Sequence, residues 1–533
     1  MKFKSILLTT ALALFLASCG AKKITATPLA LTTPITAKKA EITETQEKRW
    51  SHLDLLTDTI PGMSVDRAYE LLKDRKSTKV IVGVIDSGVD IEHPDLQGVI
   101  WTNPKEVANN GKDDDNNGFI DDIHGWNFLG DIEHENMEFV RILKKGDDGS
   151  ETYKRAKKEY DKEYRQALAG KQQVEFLYKA DKAFTEKLGP GYTAEDVKNF
   201  KTEDQSLNDV KARFVMILGQ IKQEELAKEL TDAKEHLGSE IDYHLNKDYN
   251  PRQTILKDNQ DDWNANGYGN NNVTGPEKEG AKHGTHVAGI IAQGRGNSLG
   301  GDGVATSHVE IMSVRAVPDG DEYDKDVAKA IRYAVDNGAK VINGSFGKYY
   351  ATHSDWVYEA IKYAAEKDVL IVFAAGNEGL DLDKDSSERY PNDDKNSLTQ
   401  FTDNILTVGA LSHDYGPEIV ANFSNYGKVK VDVFSPGVRI YATTPNNTYE
   451  YLQGTSMASP NAAGVAALIR AYYPKLTAVQ VKHIIMDSGL PLTLNVILGG
   501  EESNTRNFSE ASQSGKIVNA YNAIILADKE SRK

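Results

Sequence analysis

The sequence is nearly devoid of cysteine: the only one among its 533 residues is Cys19, so the chain by itself forms no disulfide. Positive charge is scarce relative to negative charge, because 63 Lys and Arg residues face 79 Asp and Glu residues, a net charge of −16. A chain this acidic does not gain from releasing phosphate counterions, so nucleic acid is not an expected partner. No H-E-x-x-H motif occurs, and nothing else in the sequence predicts a catalytic metal.

Apolar runs long enough to cross a bilayer are also missing. The N-terminal run over residues 6–16 is too short for a permanent span, and it lies between two early lysines and "LASC", as in a secretory signal over residues 1–18. "LASC" resembles a bacterial lipobox, which implies a lipid on Cys19 and a place in the bacterial cell envelope, on the outer membrane facing the periplasm or at the cell surface. An ordinary signal peptide that happens to contain a cysteine is the alternative. Residues 19–48 are predicted to be a flexible tether.

From residue 49 onward the sequence alternates between two patterns. Apolar, β-branched runs such as "KVIVGVID", "VEIMSVRAV", "KVING", "VLIVFAA" and "ILTVGAL" predict buried strands, and the stretches 326–337 and 354–367 predict helices between them. Strands alternating with helices predict an α/β fold with a parallel sheet covered on both faces. The helix that begins near Ser456 is apolar almost all round, so we expect it to be buried, with Pro460 in its first turn.

One segment, residues 131–250, breaks this alternation. It is highly charged, and apolar residues recur every three or four positions, as in the helix that we predict to begin at Ser206 with Asp209 three residues on. The sequence therefore predicts a helical bundle inserted between two parts of one domain, residues 49–130 and 251–533. A solvated satellite bundle is the simplest interpretation, and restriction of a cleft or the docking of a partner is the alternative.

Two histidines three residues apart, His283 and His286, stand in "AKHGTHVAGI". Residues at this spacing share a helix face, so the pair could bind a metal or could be one catalytic base beside one structural neighbour. Zinc enzymes use three protein ligands, and this stretch offers two. The interpretation as one base and one packed residue is therefore preferred.

Four motifs carry the chemistry. Asp86 lies in "VIDSGVD", His283 in "HGTHVAG", Asn377 in "AAGNEG" and Ser456 in "GTSMASP". Together and in this chain order they resemble the motifs of the subtilisin-like serine peptidases, the subtilases of peptidase family S8. The resemblance covers about residues 50–130 and 255–525. It implies a subtilisin-like three-layer fold, with a mostly parallel central sheet flanked by helices, and the hydrolysis of peptide bonds in proteins.

Acyl transfer explains why these residue types are needed together. A serine hydroxyl is a poor nucleophile at neutral pH, so His283 must take the proton of Ser456. Asp86 would hold the other ring nitrogen of His283 and stabilise the imidazolium that forms. The N-terminus of the Ser456 helix would face the developing oxyanion, and the resemblance implies Asn377 as a side-chain donor to it.

The order of the residues excludes another class of serine hydrolase. In α/β-hydrolases the nucleophile lies in G-x-S-x-G and precedes its acid and its histidine. Here the motif is G-T-S-M-A, and no Asp or Glu lies between Ser456 and His483, the one histidine that follows it. This alternative therefore fails.

The resemblance also implies a set of substrate contacts. The stretch "NGSFG" would pair with the peptide backbone, and "AAGNE" would form one wall of the first specificity pocket with Glu378 near its base. A glutamate there would admit Lys as well as large apolar side chains. The implied substrate-binding residues are Ser345, Phe346, Gly347, Ala374, Ala375, Gly376 and Glu378.

Calcium is the expected structural cofactor. The acidic stretch "GKDDDNNGFIDD" places Asp113, Asp115, Asn117 and Asp121 in a pattern that imitates an EF-hand loop without its terminal glutamate, and a simple acidic turn is the alternative. A second site is implied by the resemblance alone, with Asp95 and Asn297 as side-chain ligands and Leu299 and Gly301 as carbonyl ligands.

The sequence thus predicts a monomeric, lipid-anchored, calcium-stabilised serine endopeptidase that acts on proteins or peptides. The alternative function is a catalytically silent surface lipoprotein that binds a partner through its helical insertion.

Overall fold

A computed structural model describes residues 23–31, 35, 41–384, 387–395 and 397–533. The predicted signal peptide and the lipidation site Cys19 lie outside the described residues. Within the described ranges, no helix combines the length and the apolar character that crossing a membrane requires.

Thirteen strands form three sheets in the described part of the chain. The strands are β1 Val80–Asp86, β2 Gly125–Asn127, β3 Val309–Arg315, β4 Val341–Gly344, β5 Leu370–Ala374, β6 Ile405–Leu411, β7 Val433–Pro436, β8 Ile440–Thr444, β9 Thr448–Leu452, β10 Leu490–Pro491, β11 Asn495–Leu498, β12 Glu501–Asn507 and β13 Lys516–Ile517. The central sheet has the order β10-β13-β7-β6-β5-β4-β1-β3-β2, and all neighbours in it are parallel except β10 and β13. The pairs β8–β9 and β11–β12 are separate hairpins.

Fourteen α-helices accompany these strands. They are α1 Glu44–Glu47, α2 Leu55–Asp58, α3 Val65–Leu72, α4 Glu138–Lys144, α5 Glu151–Leu188, α6 Ala194–Asn199, α7 Gln205–Leu218, α8 Gln223–Ser239, α9 Lys282–Ala292, α10 Asp324–Asp336, α11 Ser354–Glu366, α12 Thr455–Tyr472, α13 Ala478–Ser488 and α14 Ala520–Glu530. Short 3₁₀ turns cover Trp50–His52, Pro94–Leu96, Lys278–Ala281, Thr306–His308 and Phe508–Glu510, and π-helical turns cover Glu240–His244 and Arg252–Leu256.

Helices cover both faces of the central sheet, as the alternating pattern predicts. Alternate residues of β1 separate into two cores: Val82 and Val84 pack with α9 and α12, whereas Ile85 packs with α10 and α11. Helix α12 is buried along almost its whole length and contacts β4, β5, β6 and β7. The prediction of a three-layer α/β fold is confirmed.

Part of the predicted tether is docked rather than free. The N–H of Leu29 donates to Asn522 Oδ1 at 2.7 Å, and the N–H of Ile24 donates to Asp528 Oδ2 at 2.9 Å. Ile24 and Leu29 also pack against the main core. Composition suggested a flexible chain because Thr- and Ala-rich sequence carries no helix or strand period, but an extended strap needs none.

The insertion is helical, as predicted, and contains α4 to α8. It has a core of its own around Phe184 and Phe214, whose rings lie 5.1 Å apart. Helix α7 begins one residue earlier than expected, at Gln205, because its N-cap is Asp204. The Asp204 carboxylate accepts the N–H groups of Ser206 and Leu207 at 2.9 and 3.4 Å, so Asp204 caps the helix in place of the expected Ser206.

Buried ion pairs hold the insertion at the point where it returns to the sheet. Arg252, which is fully buried, pairs with Asp326 of α10 and lies 3.4 Å from Asp258. Lys325 reaches the same Asp258 at 2.6 Å. A buried charge that loses its partner destabilises a protein strongly, so these contacts fix the returning chain against α10.

A second set of buried ion pairs holds the first helix of the insertion. Glu138 of α4 pairs with Arg141 at 2.5 Å and with Lys348 at 3.2 Å, and Lys348 reaches Asp324 at 2.9 Å. Lys348 follows β4 by four residues. The insertion is therefore anchored directly to the loop that the resemblance implies for substrate pairing.

Candidate active site

Asp86 and His283 meet at the carboxyl end of β1. Asp86 is the last residue of that strand, and His283 is the second residue of α9. His283 Nδ1 lies 2.7 Å from Asp86 Oδ1. The close approach depends on Gly284, since a Cβ there would lie 2.1 Å from the carbonyl oxygen of Gly88. The structure thus brings together two residues that the sequence placed 197 positions apart.

The carboxylate sets the state of the imidazole. Burial disfavours the protonated ring, but the charge of Asp86 and its hydrogen bond outweigh burial and raise the pKa of His283 above its ordinary value. A proton on Nδ1 directed at Asp86 leaves the Nε2 lone pair free to act as a base. The side chain of His283 is 39% exposed, whereas that of Asp86 is 1% exposed, so the imidazole is partly open to solvent while its carboxylate partner is buried.

His286 is a packed residue, as expected. It is fully buried, and Nε2 lies 3.1 Å from the carbonyl oxygen of Glu450. Burial lowers the pKa of His286 to about 3, which keeps the ring neutral. Within the described residues, no metal-binding cluster includes His283 or His286.

Ser456 lies in the first turn of α12, and a proline governs its surroundings. Pro460 is the sixth helical residue and so lies in the second turn, one turn later than predicted. Because proline has no N–H, the carbonyl oxygen of Ser456 four residues earlier has no helical donor. The Ser345 hydroxyl supplies the donor at 2.8 Å, and the Ser456 hydroxyl donates to the Ser345 carbonyl at 3.1 Å.

Within the described chain, the Ser456 hydroxyl has this partner rather than His283. A reciprocal pair of bonds thus ties the nucleophile candidate to the end of β4. Rotation of the hydroxyl about its Cα–Cβ bond is needed before it can donate to the imidazole.

Asn377 is oriented by the residue before Ser456. Its Oδ1 accepts the N–H and the hydroxyl of Thr455 at 2.8 and 3.0 Å, and the Thr455 hydroxyl accepts the N–H of Gly376 at 3.0 Å. Within the described chain, the Nδ2 group has no partner. It is available as a donor beside the N-terminus of α12, which is the position that an oxyanion donor requires.

A pocket of about 220 Å³ lies beside Ser456 and Asn377. Six of the seven predicted substrate-binding residues line it: Ser345, Phe346, Gly347, Ala374, Gly376 and Glu378. Ala375 does not, because it is buried beneath the pocket, where its carbonyl accepts Asn425 Nδ2 at 3.0 Å.

The pocket also contains charged residues that sequence reasoning missed. Arg389 lines it and donates to the carbonyl of Ala374, and burial lowers the pKa of Arg389 to about 10. Glu378 accepts the Tyr349 hydroxyl, and burial raises its pKa. Burial also raises the pKa of Glu322, another residue that lines the pocket, to about 7. Arg389 and Glu322 lie in loops without a motif, so nothing in the sequence marked them, whereas Glu378 was predicted from "AAGNE".

The implied calcium site at Asp95 fits a cation. Asp95 is 4% exposed, and its Oδ2 has no hydrogen-bond partner. Its Oδ1 accepts Asn297 Nδ2 at 2.5 Å, so the two expected side-chain ligands are adjacent, and Asn297 Oδ1 accepts the N–H of Leu299 at 3.0 Å. The Asn297 amide would have to turn for its oxygen to bind a cation beside Asp95. Burial raises the pKa of Asp95, as expected for a carboxylate without a counter-charge. Leu299 is exposed and Gly301 is buried in the same loop.

The second calcium prediction stays a prediction, and the structure brings together only two of its four ligands, Asp113 and Asp115. Asp121 faces away, because its two oxygens accept the N–H groups of Asn110 and Gly111 at 3.1 and 2.8 Å. Asn117 is also turned inward: its Nδ2 donates to the buried Asp122.

Asp113 and Asp115 instead cluster with Glu106, which the sequence analysis did not consider. The Oε2 atom of Glu106 is buried and has no hydrogen-bond partner. The carboxylates that lie together are therefore Glu106, Asp113 and Asp115, and the two oxygens of Asp113 also accept the N–H groups of Asn117 and Gly118 at 3.0 and 2.8 Å.

A parallel α/β sheet with an Asp–His pair at one strand end, together with a serine in the first turn of a helix, is a combination typical of serine hydrolases. A family model described as the subtilase family, peptidase S8, matches residues 77–515. The chain therefore belongs to the subtilase family, which confirms the resemblance read from its motifs.

Individual relatives are similar over shorter stretches. A thermophilic serine proteinase from Bacillus sp. (strain AK1) is 41% identical over 192 residues, which is 35% of this chain and 42% of that protein. Subtilisin BL from Lederbergia lenta is 35% identical over 216 residues, 40% of this chain and 72% of that protein. The solved structure of the prenylagaramide maturation protease PagA is 29% identical, with a TM-score of 0.37, and the match covers 46% of this chain and 81% of that one.

The reciprocal Ser345–Ser456 contact generates a prediction that isolates the effect of Pro460. In a Ser456→Ala background, Ser345→Ala is expected to lower the free energy of unfolding by about 1–3 kcal/mol, because a buried carbonyl loses its donor. In a Ser456→Ala, Pro460→Ala background, the N–H of residue 460 can again donate to that carbonyl. Ser345→Ala should then lower the free energy of unfolding by less. Denaturant unfolding measures both values, and an equal cost in the two backgrounds would contradict the assignment.

Proposed function

We propose that this subtilase is a serine endopeptidase that hydrolyses peptide bonds of proteins through Asp86, His283 and Ser456, with Asn377 as the oxyanion donor. The observation that carries the proposal is the 2.7 Å contact between Asp86 and His283 at the end of the sheet. A packed core histidine would not need a buried carboxylate that raises its pKa, and its side chain would not be 39% exposed.

The reaction follows from the roles of these atoms. His283 Nε2 takes the proton of Ser456 Oγ, and Oγ attacks the carbonyl carbon of the substrate. The negative charge that develops on the carbonyl oxygen meets Asn377 Nδ2 and the N-terminus of α12. The imidazolium then donates its proton to the leaving amine, and water repeats the sequence to release the acyl group.

The substrate would lie as an extended strand along the segment that follows β4. Gly347 and Ser345 line the pocket beside the nucleophile, and backbone pairing there requires little from the substrate side chains. Glu378 supports acceptance of Lys as well as large apolar side chains. The buried Arg389 partly offsets this negative charge, so we expect a preference rather than strict specificity.

The helical insertion would restrict access to this cleft. A cavity of about 650 Å³ lies between the insertion and the cleft. Phe139, Glu163 and Glu240 line it on the side of the insertion, and Gly347 and Glu378 line it on the side of the sheet. The last two residues also line the pocket beside Ser456, so the two spaces adjoin.

At the N-terminus, the "LASC" motif supports lipidation of Cys19 and anchoring in the bacterial envelope. The enzyme is expected to be a monomer. A Cys19→Ala protein that stayed in the membrane fraction would count against the anchor.

A fluorophosphonate probe tests the enzyme against the silent lipoprotein. We expect the wild-type protein to be labelled and Ser456→Ala not to be, since the probe requires an activated serine hydroxyl. Asn377→Ala should reduce peptide turnover by about 10²–10³, the loss typical of an oxyanion donor. Absence of labelling in folded wild-type protein would favour the silent alternative.

Excising the outer part of the insertion tests restricted access. Removal of residues 150–238 spares the buried ion pairs of Glu138 and Arg252. We expect turnover of unfolded casein to rise while turnover of small peptide amides stays the same, because the insertion would obstruct only large substrates. Labelling of the shortened protein by the fluorophosphonate probe to the same extent as the wild type serves as the folding control. Unchanged turnover on both substrates would exclude the proposal.

Calcium is expected to raise the midpoint temperature of unfolding. Its binding would give Asp95 and Glu106 the counter-charge that they lack. Chelation should lower the midpoint, and Asp95→Asn combined with Glu106→Gln should abolish the effect of added calcium. Asp121→Asn serves as the matched control, because Asp121 lies outside both ligand sets. A calcium response that survives the double substitution would show that the assigned sites are wrong.

A further inference from the structure

Three segments that are distant in the chain meet at the edge of the cleft. His134 lies in the loop after β2, His244 ends the π-helical turn that closes the insertion, and Asp319 lies in the loop after β3. Gly320 and Asp321, the residues that follow Asp319, line the pocket beside Ser456. The meeting point therefore joins the insertion to the wall of the pocket.

The polar atoms of these three side chains converge. His134 Nδ1 lies 2.7 Å from one oxygen of Asp319, and His244 Nε2 lies 3.1 Å from the other. One ligand atom from each of the three residues lies within 4.8 Å of the others. His244 is 8% exposed, and its Nε2 atom is outside hydrogen-bonding geometry with any partner in the described residues.

The backbone around the cluster is fixed. His134 and Asp319 form a parallel β-bridge, and the N–H of Glu135 donates to the Asp319 carbonyl at 2.8 Å. The ring of His134 stacks on Tyr243 with centroids 4.1 Å apart. The carbonyl of His244 accepts the N–H of Met137 at 3.1 Å. All three donors are thus presented by ordered segments.

We propose that His134, His244 and Asp319 bind a divalent transition-metal ion, best matched by zinc, which clamps the insertion to the wall of the cleft. Two imidazoles and one carboxylate form a donor set that zinc accepts, whereas calcium prefers oxygen ligands alone. Zinc–ligand bonds of about 2.0–2.2 Å place tetrahedral ligand atoms about 3.3 Å apart. The His134–Asp319 contact of 2.7 Å must therefore lengthen on metal binding, and a pair of ligand atoms as far apart as 4.8 Å would have to approach by about 1.5 Å, which side-chain rotation can supply.

The surroundings leave room for the rest of the coordination shell. The side chain of Asp319 is 51% exposed, so a water molecule can complete the tetrahedron. Ser239 Oγ, at the end of α8, donates to Asp319 Oδ2 at 2.8 Å and orients the carboxylate. The ion would be structural, because it lies outside the Asp86–His283 pair and no step of peptide hydrolysis needs it.

Zinc binding to the full-length chain tests the proposal. The protein carries Ser456→Ala to prevent self-digestion and has no histidine tag, and excess calcium fills the acidic sites. Native mass spectrometry and calorimetry are expected to find one zinc ion per chain. Cobalt should give the absorption bands of a tetrahedral site.

Variants identify the ligands. His244→Ala and Asp319→Asn should each weaken zinc binding by at least about 100-fold, more than the 10–100-fold typical of an outer-shell residue. His353→Ala is the matched control, because His353 pairs with a single carboxylate, Asp261, at 2.8 Å and should leave binding unchanged. Zinc should raise the midpoint temperature of the parent and of the control only.

Two results would overturn the proposal. The first is the absence of stoichiometric zinc binding by the parent protein. The second is binding that persists at the same affinity in His244→Ala and Asp319→Asn, which would place the ion at another site. Unfolding curves recorded without zinc show that each variant is folded before its affinity is compared.

Discussion

The hydrogen bond between Asp86 and His283 joins positions 197 residues apart, and the surrounding structure is arranged so that it can form. The chain between them contains a helical bundle and must return to the point from which it left. Arg315, at the end of β3, holds that point: its guanidinium donates to the carbonyl of Ser87 at 3.0 Å and to that of Ile132 at 2.7 Å. Ser87, which follows Asp86, and Ile132, at the start of the insertion, are thus both bound by one buried side chain.

Buried charge helps to fix the root of the insertion. Arg252 and Lys348 each lose hydration on burial, and contacts with carboxylates of the surrounding chain compensate for part of that loss, so removing one of these carboxylates would leave a buried charge without its partner. Lys348 is adjacent to Gly347, which lines the pocket beside Ser456. The insertion and the pocket are therefore connected through buried ion pairs, and the proposed metal site would add a further connection at the edge of the cleft.

Much of this architecture could be predicted from the sequence. Buried parallel strands have an apolar, β-branched pattern, and short motifs at strand and helix ends marked Asp86, His283 and Ser456. Contacts that depend on distant segments gave no such signal. Glu106 joins Asp113 only through folding, and Asp121 is diverted to backbone N–H groups of its own loop. The unpaired carbonyl of Ser456 would follow from the sequence only if Pro460 were placed beyond the first turn of its helix, and the choice of Ser345 as its donor depends on the fold.

The proposed peptidase activity depends most on Asp86 making His283 a base for Ser456. The pH dependence of kcat/KM for a peptide amide tests it most directly. Wild-type activity should rise with pH up to a pKa above the ordinary histidine value of about 6.5, because His283 must be neutral and Asp86 favours its protonated form. Asp86→Asn should lower kcat by about 10⁴, as in other triads, whereas His286→Gln should change it by less than about tenfold. If Asp86→Asn kept activity within about tenfold of the wild type, the central claim would be contradicted.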